Sequence, residues 1–424
     1  MTRSPFPISP RDPPRQRSSE VSRPRVAVIG AGPAGSTAAR LLAERGAEVR
    51  LFEARRLPRA KVCGGGLTPK AQRLVPPGAL ATAERRVHRV ELRGRAPLPP
   101  VLVDEPASTI ALVERVRFDT ALVDEAARVG AIIEDGEPVH ELHEDEHGIA
   151  VRTARGTWRA DVVVAADGEP SRAARQLGLG GLPRRRSLAL EIDLPFAPAL
   201  RSDTAILSFA IPGGYGWYFP KGDHANVGVG SYRPTRHGRL REDLGRLAAE
   251  LGLDLRDGQV RGHWLAQGLR QGRLASRRAV LAGDAAATAD AFFGEGISYA
   301  LLSGVAAAQA IDDWAAGAID DVRPYDGRLR AALGPALDRL DAIARAAELS
   351  VSAALLGIRF SAYVRERAVD AIAGRRAPYV IDGHCELACA CELHGPDPGS
   401  RASGHPSPGA ERGHCDRCTA ACAA

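Results

Sequence analysis

The stretch RVAVIGAGPAGSTAARLLAERGAEVRLFE, residues 25–53, determines the fold of the first part of the chain. Its apolar run RVAVI predicts a buried strand, and the segment after the turn predicts a helix that ends at Gly46. The residues AEVRLFE predict a second strand. A strand, tight turn, helix and strand in this order indicate an α/β fold with a Rossmann-type domain.

The turn carries a phosphate-binding pattern. Gly30, Gly32 and Gly35 form G-x-G-x-x-G directly after the strand and at the start of the helix. Glycines permit the tight turn and let a pyrophosphate approach the helix N-terminus. Glu53 ends the second strand, where a carboxylate accepts hydrogen bonds from ribose hydroxyls. The alternative is a glycine-rich turn without a ligand, and the motif alone does not separate NAD from FAD.

Three later segments favour FAD. ERVRFDTALVDEAARVGA (114–131), VVVAADGEPSRAAR (162–175) and VLAGDAAATADAFFGEGISYAL (280–301) follow in an order that resembles the FAD-dependent oxidoreductases of the aromatic-hydroxylase type. The resemblance implies that Arg115 approaches FAD and that Asp284 binds the ribityl chain. It also implies that the helix opened by Gly294, Gly296 and Ile297 directs its N-terminus at the flavin, where helix N–H groups stabilise negative charge.

Two further motifs narrow the resemblance. PRAKVCGGGL (58–67) and GGYGWYFPKGDHANVGVG (213–230) resemble the geranylgeranyl reductase family, and the likeness spans roughly residues 25–310. It implies an FAD-dependent reductase of isolated C=C bonds in a polyprenyl chain, with hydride from N5 of the reduced flavin. The polyprenyl group belongs to a lipid, a quinone or a chlorophyll precursor. Residues Asp290–Phe293 depart from the family pattern, which leaves the shape of the substrate tunnel open.

The same motifs supply the candidate catalytic and substrate residues. Three glycines in a row after Cys63 predict a backbone that lies flat against the flavin ring, with the thiol facing the substrate. Tyr215, Trp217 and Phe219 alternate along one strand and share a face suited to an isoprenoid chain. Cys63, Tyr215 and Trp217 are the catalytic candidates; Phe219, Phe292 and Phe293 are the substrate-wall candidates. The alternatives are a core sheet face for the stripe and a buried structural thiol for Cys63.

Composition and segment patterns predict the organisation of the 424 residues. We expect a disordered leader over 1–24, a discontinuous FAD-binding domain over 25–180 and 276–320, and a substrate-binding antiparallel-sheet domain over 181–275. A helical region over 321–382 and a Cys/His-rich tail over 383–424 follow. The net charge of +6 comes from scattered arginines among acidic residues, which does not favour nucleic acid. We expect a cytoplasmic monomer without a membrane-spanning segment; the alternative is peripheral contact with a membrane.

Further expectations concern electrons and metals. No second nucleotide-binding motif is present, so NAD(P)H docking transiently or reduced ferredoxin, an electron-donor protein, would supply electrons. The tail cysteines Cys385, Cys389, Cys391, Cys415, Cys418 and Cys422 have partial metal-ligand spacing for zinc or an iron–sulfur cluster, or form a thiol-bearing tail without metal. The competing functions are a flavin monooxygenase or halogenase on the same scaffold, and a non-catalytic redox sensor governed by its tail.

Overall fold

The computed structural model describes residues 23–366, apart from 96, 107–108, 197–199 and 232. The predicted leader, except for its last two residues, and the Cys/His-rich tail lie outside the described residues. The first part of the described chain contains β1 (Arg25–Ile29), α1 (Pro33–Glu44), β2 (Glu48–Glu53), β3 (Gly66–Leu67), α2 (Pro69–Gln72), α3 (Pro77–Leu80), β4 (Ala83–Val87), β5 (Arg89–Arg93), β6 (Val101–Asp104), β7 (Ile110–Val113), α4 (Arg115–Arg128), β8 (Ile132–Asp135), β9 (Glu141–Asp145), β10 (Gly148–Thr153), β11 (Gly156–Ala160), β12 (Val162–Ala165) and α5 (Arg172–Gln176).

The second part supplies the remaining strands and the long helices. These elements are β13 (Pro183–Pro195), β14 (Thr204–Ser208), β15 (Gly214–Pro220), β16 (His224–Ser231), α6 (Pro234–His237), α7 (Leu240–Glu250), β17 (Arg261–Arg270), β18 (Ala279–Leu281), α8 (Ile297–Ala315) and α9 (Pro324–Phe360). Helices α8 and α9 confirm the expected helices as far as Phe360, and residues 367–382 of the predicted helical region lie outside the described residues. None of the helices in the described ranges combines the length and the apolar character needed to cross a bilayer.

The Rossmann-type part is built on a five-stranded parallel sheet in the order β18-β12-β1-β2-β8. In its centre Val28 lies beside Val164 of β12 and Leu51 of β2, and all three are fully buried. Runs of apolar residues are typical of parallel strands that are covered on both faces. Helix α8 packs closely on α1 because Gly304 has no Cβ, which would lie 2.4 Å from the Ala34 carbonyl oxygen. The predicted strand–helix–strand unit and α/β class are confirmed.

Two small antiparallel sheets join this part. The first, in the order β11-β10-β9, is an antiparallel meander that leads into β12. The second, β3-β7-β4, includes the end of the glycine triplet, because Gly66 pairs with Leu112. This second sheet connects the triplet to the start of α4.

The largest of the sheets in the described ranges has seven strands in the order β17-β13-β16-β15-β14-β5-β6. Five of these strands lie between residues 183 and 270, inside the range 181–275 expected to form an antiparallel sheet. Strands β5 and β6, residues 89–104, also belong to it, whereas the predicted boundary left them with the cofactor part. Strand β5 belongs to this sheet because it pairs in parallel with β14. An alternation of period two predicts a strand but does not predict which strand it pairs with. Helix α7 covers the outer face of the sheet, where Leu244 and Leu247 pack with Val227 and Tyr218.

Candidate active site

A cleft of about 630 Å³ runs along the carboxyl ends of β1, β2 and β12. Its wall begins at Gly30, which has φ of +99° and whose Cβ would lie 2.3 Å from the Ala166 carbonyl oxygen. Gly35 does not line the cleft; a Cβ there would lie 1.9 Å from the Gly30 carbonyl oxygen, so this glycine lets α1 press against the turn. A Cβ on Gly32 would meet no atom within 4 Å and would point into open space. The turn therefore leaves room for a phosphate group at the N-terminus of α1, which has no side-chain cap.

The carboxylate of Glu53 is fixed at the edge of this cleft. Its oxygens accept the Ala31 N–H at 3.1 Å and the Arg55 N–H at 3.0 Å, and the Arg59 guanidinium lies 2.9 Å away. Arg59 also contacts Asp119 at 3.0 Å, and Asp119 holds Arg115 through two bonds of 2.7 and 2.8 Å. Arg115 is thereby held at the cleft wall. Arg59 is a cleft residue that the motifs did not point to.

The opposite wall comes from the segment after β18. Asp284 lies in a short 3-10 turn, Gly283–Ala286, and lines the cleft. Gly294 has φ of +62° and no atom within 4 Å of a Cβ position, and Gly296 precedes α8 without a side-chain cap. Eight predicted cofactor residues line this one cleft: Gly30, Gly32, Glu53, Arg115, Asp284, Gly294, Gly296 and Ile297. The uncapped N-terminus of α1, the N-terminus of α8 and the open glycine positions fit the phosphates and the flavin of FAD.

A second, apolar cavity of about 210 Å³ lies against the inner face of the seven-stranded sheet. Tyr215, Trp217 and Phe219 of β15 all line it, which confirms that they share one face. The rings of Tyr215 and Trp217 lie 5.8 Å apart at their centroids. Phe292 and Phe293 line the cavity from the side of α8, with ring centroids 4.5 Å apart.

The rings are held by partners that the motifs did not reveal. Phe209, just after β14, stacks on Phe292 at 5.8 Å with 15° between the planes. The indole Nε1 of Trp217 donates to Asn226 Oδ1 at 2.7 Å on the neighbouring strand. Gly228 lies opposite Trp217, and a Cβ there would come within 2.0 Å of the indole Cζ2. The alternate glycines of NVGVG are the sequence signal that could have predicted a ring lying flat on β16.

The glycine triplet also packs against protein atoms. A Cβ on Gly64 would lie 3.0 Å from the Phe219 ring and 3.1 Å from Trp217 Nε1. Gly65 has φ of +75°, and its Cβ would lie 2.1 Å from the Val113 carbonyl oxygen. The sequence attributed these glycines to the flavin ring. In the structure the aromatic strand β15 crowds a side chain at Gly64, and β7 excludes one at Gly65. The glycine triplet therefore lines the cavity and packs directly against the aromatic side chains of β15.

Cys63 lies where the two cavities meet. The residues that line both are Val62, Cys63, His263, Leu265, Gly294, Gly296 and Ile297. The Cys63 thiol accepts the Gly65 N–H at 3.4 Å, and the Cys63 N–H donates to Glu191 Oε1 at 3.1 Å. The thiol therefore borders both the cleft and the ring-lined cavity, where the sequence expected it.

Comparison with known proteins identifies the family. The family described as FAD binding domain matches residues 23–212. A geranylgeranyl diphosphate reductase from Synechocystis is 30% identical over 68% of this chain and 75% of its own length. The chain belongs to the geranylgeranyl reductase family. It is accordingly an FAD-dependent oxidoreductase with the α/β FAD-binding fold.

Other members and neighbours extend this result. A menaquinone reductase from Mycobacterium tuberculosis is 31% identical over 68% of this chain and 76% of that protein. The chain spans 66% of the length of the geranylgeranyl diphosphate reductase of Oryza sativa chloroplasts. A geranylgeranyl bacteriochlorophyll reductase-like protein from Thermoplasma acidophilum superposes with a TM-score of 0.67 at 25% identity, covering 87% of this chain and 96% of that chain. A flavin-dependent brominase, at 19% identity and a TM-score of 0.68 over 88% of this chain and 98% of that chain, shares the fold alone.

One buried carboxylate holds the backbone of Asp290–Phe293, the segment that departs from the geranylgeranyl reductase pattern. The buried carboxylate of Asp290 accepts the N–H groups of Phe292 at 2.8 Å, Phe293 at 2.7 Å and Glu295 at 3.0 Å. Burial raises the pKa of Asp290 to about 6. Glu295 in turn contacts Lys70 Nζ at 2.5 Å. These bonds set the positions of both phenylalanine rings in the cavity.

A pair of basic side chains borders the cofactor cleft of this family member. Lys61 Nζ lies 2.7 Å from His263 Nε2. Burial lowers the pKa of Lys61, and burial together with the Lys61 charge lowers the pKa of His263 to about 4. A neutral imidazole accepts a hydrogen bond from the lysine.

The predicted ligands for zinc or an iron–sulfur cluster all belong to the Cys/His-rich tail. The six cysteines from 385 to 422 lie outside the described residues. Among the residues that the structure describes, no group of three or more His, Cys, Asp or Glu side chains is placed to hold a metal ion.

Proposed function

We propose that this protein reduces isolated C=C bonds in the polyprenyl chain of a lipid, a quinone or a chlorophyll precursor, using reduced FAD. The printed names of its relatives, geranylgeranyl diphosphate reductase and menaquinone reductase, support a polyprenyl substrate. The observation that carries the proposal is the ring-lined cavity that opens into the cofactor cleft at Cys63 and Gly294–Ile297. A long apolar chain in this cavity would present a double bond at the border of the cleft.

The reaction needs two hydrogens delivered to an unactivated bond. Bound FAD supplies the hydride when it is reduced. The chain's own residues hold the alkene in line, exclude water and stabilise positive charge with the faces of Tyr215 and Trp217. The Tyr215 hydroxyl donates to the Phe293 carbonyl oxygen, and burial raises the pKa of Tyr215, so this phenol stays protonated. Cys63 shapes the point where the substrate meets the cofactor.

Anaerobic single turnover tests the proposal. The purified protein is reconstituted with FAD, reduced with a stoichiometric amount of dithionite and mixed in detergent with geranylgeranyl diphosphate, or with a menaquinone whose headgroup has already been reduced to the hydroquinone. We expect flavin reoxidation without O2 and products heavier by pairs of hydrogens in mass spectrometry. Reduced flavin that no polyprenyl compound reoxidises would overturn the proposal. Comparison of NADPH, NADH and reduced ferredoxin in multiple turnover then identifies the electron donor.

The competing functions give different results in the same preparation. A monooxygenase or halogenase consumes O2 and transfers oxygen or halogen to an aromatic substrate, which product analysis detects. A sensor governed by its tail loses its response when residues 383–424 are removed, whereas we expect the truncated reductase to keep its turnover.

A further inference from the structure

Glu191 is a charged residue on the inner face of the substrate sheet. Ser187, Ala189 and Glu191 alternate along β13, line the ring-lined cavity and are buried. The first two are small, as expected for a surface that a ligand covers. Glu191 is 2% exposed and lies beside Cys63, at the end of the cavity that borders the cofactor cleft. A glutamate is rarely buried to this extent without a specific role.

The contacts of Glu191 leave part of its carboxyl group unused. Oε1 accepts the Cys63 main-chain N–H at 3.1 Å and lies 3.5 Å from Arg261 Nη2. Arg261 itself is committed to a closer contact with Asp193. Within the described part of the chain, Oε2 has no hydrogen-bond or ion-pair partner. The carboxyl group is therefore held in place through one oxygen, and its negative charge is only weakly compensated.

A weakly compensated buried carboxyl group favours its neutral, protonated form. Burial raises the pKa of Glu191, opposed by the Cys63 N–H bond and by Arg261. Enzymes obtain a carboxylic acid that donates a proton near neutral pH in this way. The reduction of an isolated double bond requires such a donor, because the alkene accepts hydride poorly until one carbon is protonated.

We propose that Glu191 is the acid that protonates the alkene, an inference that rests on the proposed function. The O–H bond of Glu191 breaks, and the π electrons of the alkene form a C–H bond to that proton. The hydride from the reduced cofactor forms the second C–H bond, so the alkene gains two hydrogens and the cofactor is oxidised by two electrons. The carboxylate then regains a proton from water.

The other two candidate donors are less suited to this step. The hydroxyl of Tyr215 already donates its hydrogen to Phe293 O. The thiol of Cys63 accepts the Gly65 N–H, and it is the Cys63 main chain that holds Glu191. Replacing Cys63 by alanine therefore removes the thiol and keeps the bond to Glu191, so the two candidates can be separated by single variants.

Glu191→Gln is the test variant, because the amide oxygen still accepts the Cys63 N–H while the acidic proton is gone. In anaerobic single turnover we expect flavin reoxidation by the polyprenyl substrate to slow by about 10²- to 10⁴-fold. FAD affinity and the rate of dithionite reduction should remain as in the wild type. Asp243→Asn is the matched control, since it neutralises a buried carboxylate on α7, outside both cavities. Cys63→Ala should lose less activity than Glu191→Gln.

A second readout needs no turnover. Infrared difference titration of the FAD-free protein should show carboxylic-acid C=O absorption above the pH at which ordinary glutamates ionise. Asp290 contributes one component, which remains in Glu191→Gln, and we expect a second component that is missing in that variant. Wild-type turnover in Glu191→Gln, or a band unchanged by the substitution, would overturn the assignment of Glu191 alone. Absence of polyprenyl reduction by the wild type would instead overturn the proposed function, whatever the variant does.

Discussion

Replacing Gly228 by alanine should disturb the aromatic wall of the cavity. The added Cβ would lie 2.0 Å from Cζ2 and 2.4 Å from Cε2 of Trp217, and ordinary contacts begin at about 3.4 Å. The indole of Trp217 must therefore move by roughly 1 Å or more. Trp217 is only 7% exposed, so its surroundings leave little room for this movement. Overpacking costs about 1–3 kcal/mol, and loss of the Trp217–Asn226 bond adds about 0.5–1.5 kcal/mol. We expect the free energy of unfolding to fall by about 2–4 kcal/mol in total.

Urea denaturation of the FAD-loaded protein measures this change. The matched control is Gly245→Ala in α7, where the nearest atom to a Cβ is Leu255 Cδ1 at 3.7 Å, and where alanine should stabilise by about 0.5–1 kcal/mol. In a Trp217→Phe background, which removes the crowded ring atoms, Gly228→Ala should cost less. Equal stabilities of Gly228→Ala and wild type, with unaltered Trp fluorescence, would refute the placement of the indole on β16.

Three other changes probe the cleft, the charge pattern and the cavity. Gly32→Ala meets no protein atom, so apoprotein stability should stay the same while FAD affinity, measured by fluorescence titration, falls roughly tenfold or more; unchanged affinity would place the phosphates elsewhere. The hydrogen bond to Glu114 raises the pKa of His224 from 6.5 to about 9, so its contribution to stability is complete below pH 6.5 and is lost as the pH rises through 9. His224→Gln should flatten that part of the urea-stability profile, and an unaltered slope would contradict the pairing. Tyr215→Phe frees the Phe293 carbonyl oxygen and should raise KM for the polyprenyl substrate more than it lowers kcat; a loss confined to kcat would make the phenol a proton donor.

The sequence predicted the cofactor cleft well because its signals are local. The turn at Gly30 and the carboxylate of Glu53 follow from a strand–helix–strand pattern within thirty residues. Arg115 and Asp284 came from the order of motifs in the resembled family. Gly30, Glu53 and Asp284 lie at or just after the carboxyl ends of parallel strands, where one edge of the sheet brings them together, and Arg115 is the first residue of α4.

The polar residues of the ring-lined cavity escaped prediction for a physical reason. Glu191 and His263 both line this cavity because β13 pairs with β17, about seventy residues further along the chain. The alternation of residues within either strand does not predict that pairing. Phe209 likewise reaches Phe292 only through the fold. The aromatic stripe was predictable because its period of two lies within a single strand.

The parallel pairing of β5 with β14 has a consequence for engineering. The polypeptide leaves the cofactor half at residue 89, contributes two strands to the far edge of the other half and comes back at β7. A chimera that exchanged only residues 181–275 with a relative would give β14 a foreign neighbour, and an isolated fragment with those limits would expose the backbone of β14 to aggregation. An exchange between homologues of the half that carries the ring-lined cavity therefore has to include residues 89–104.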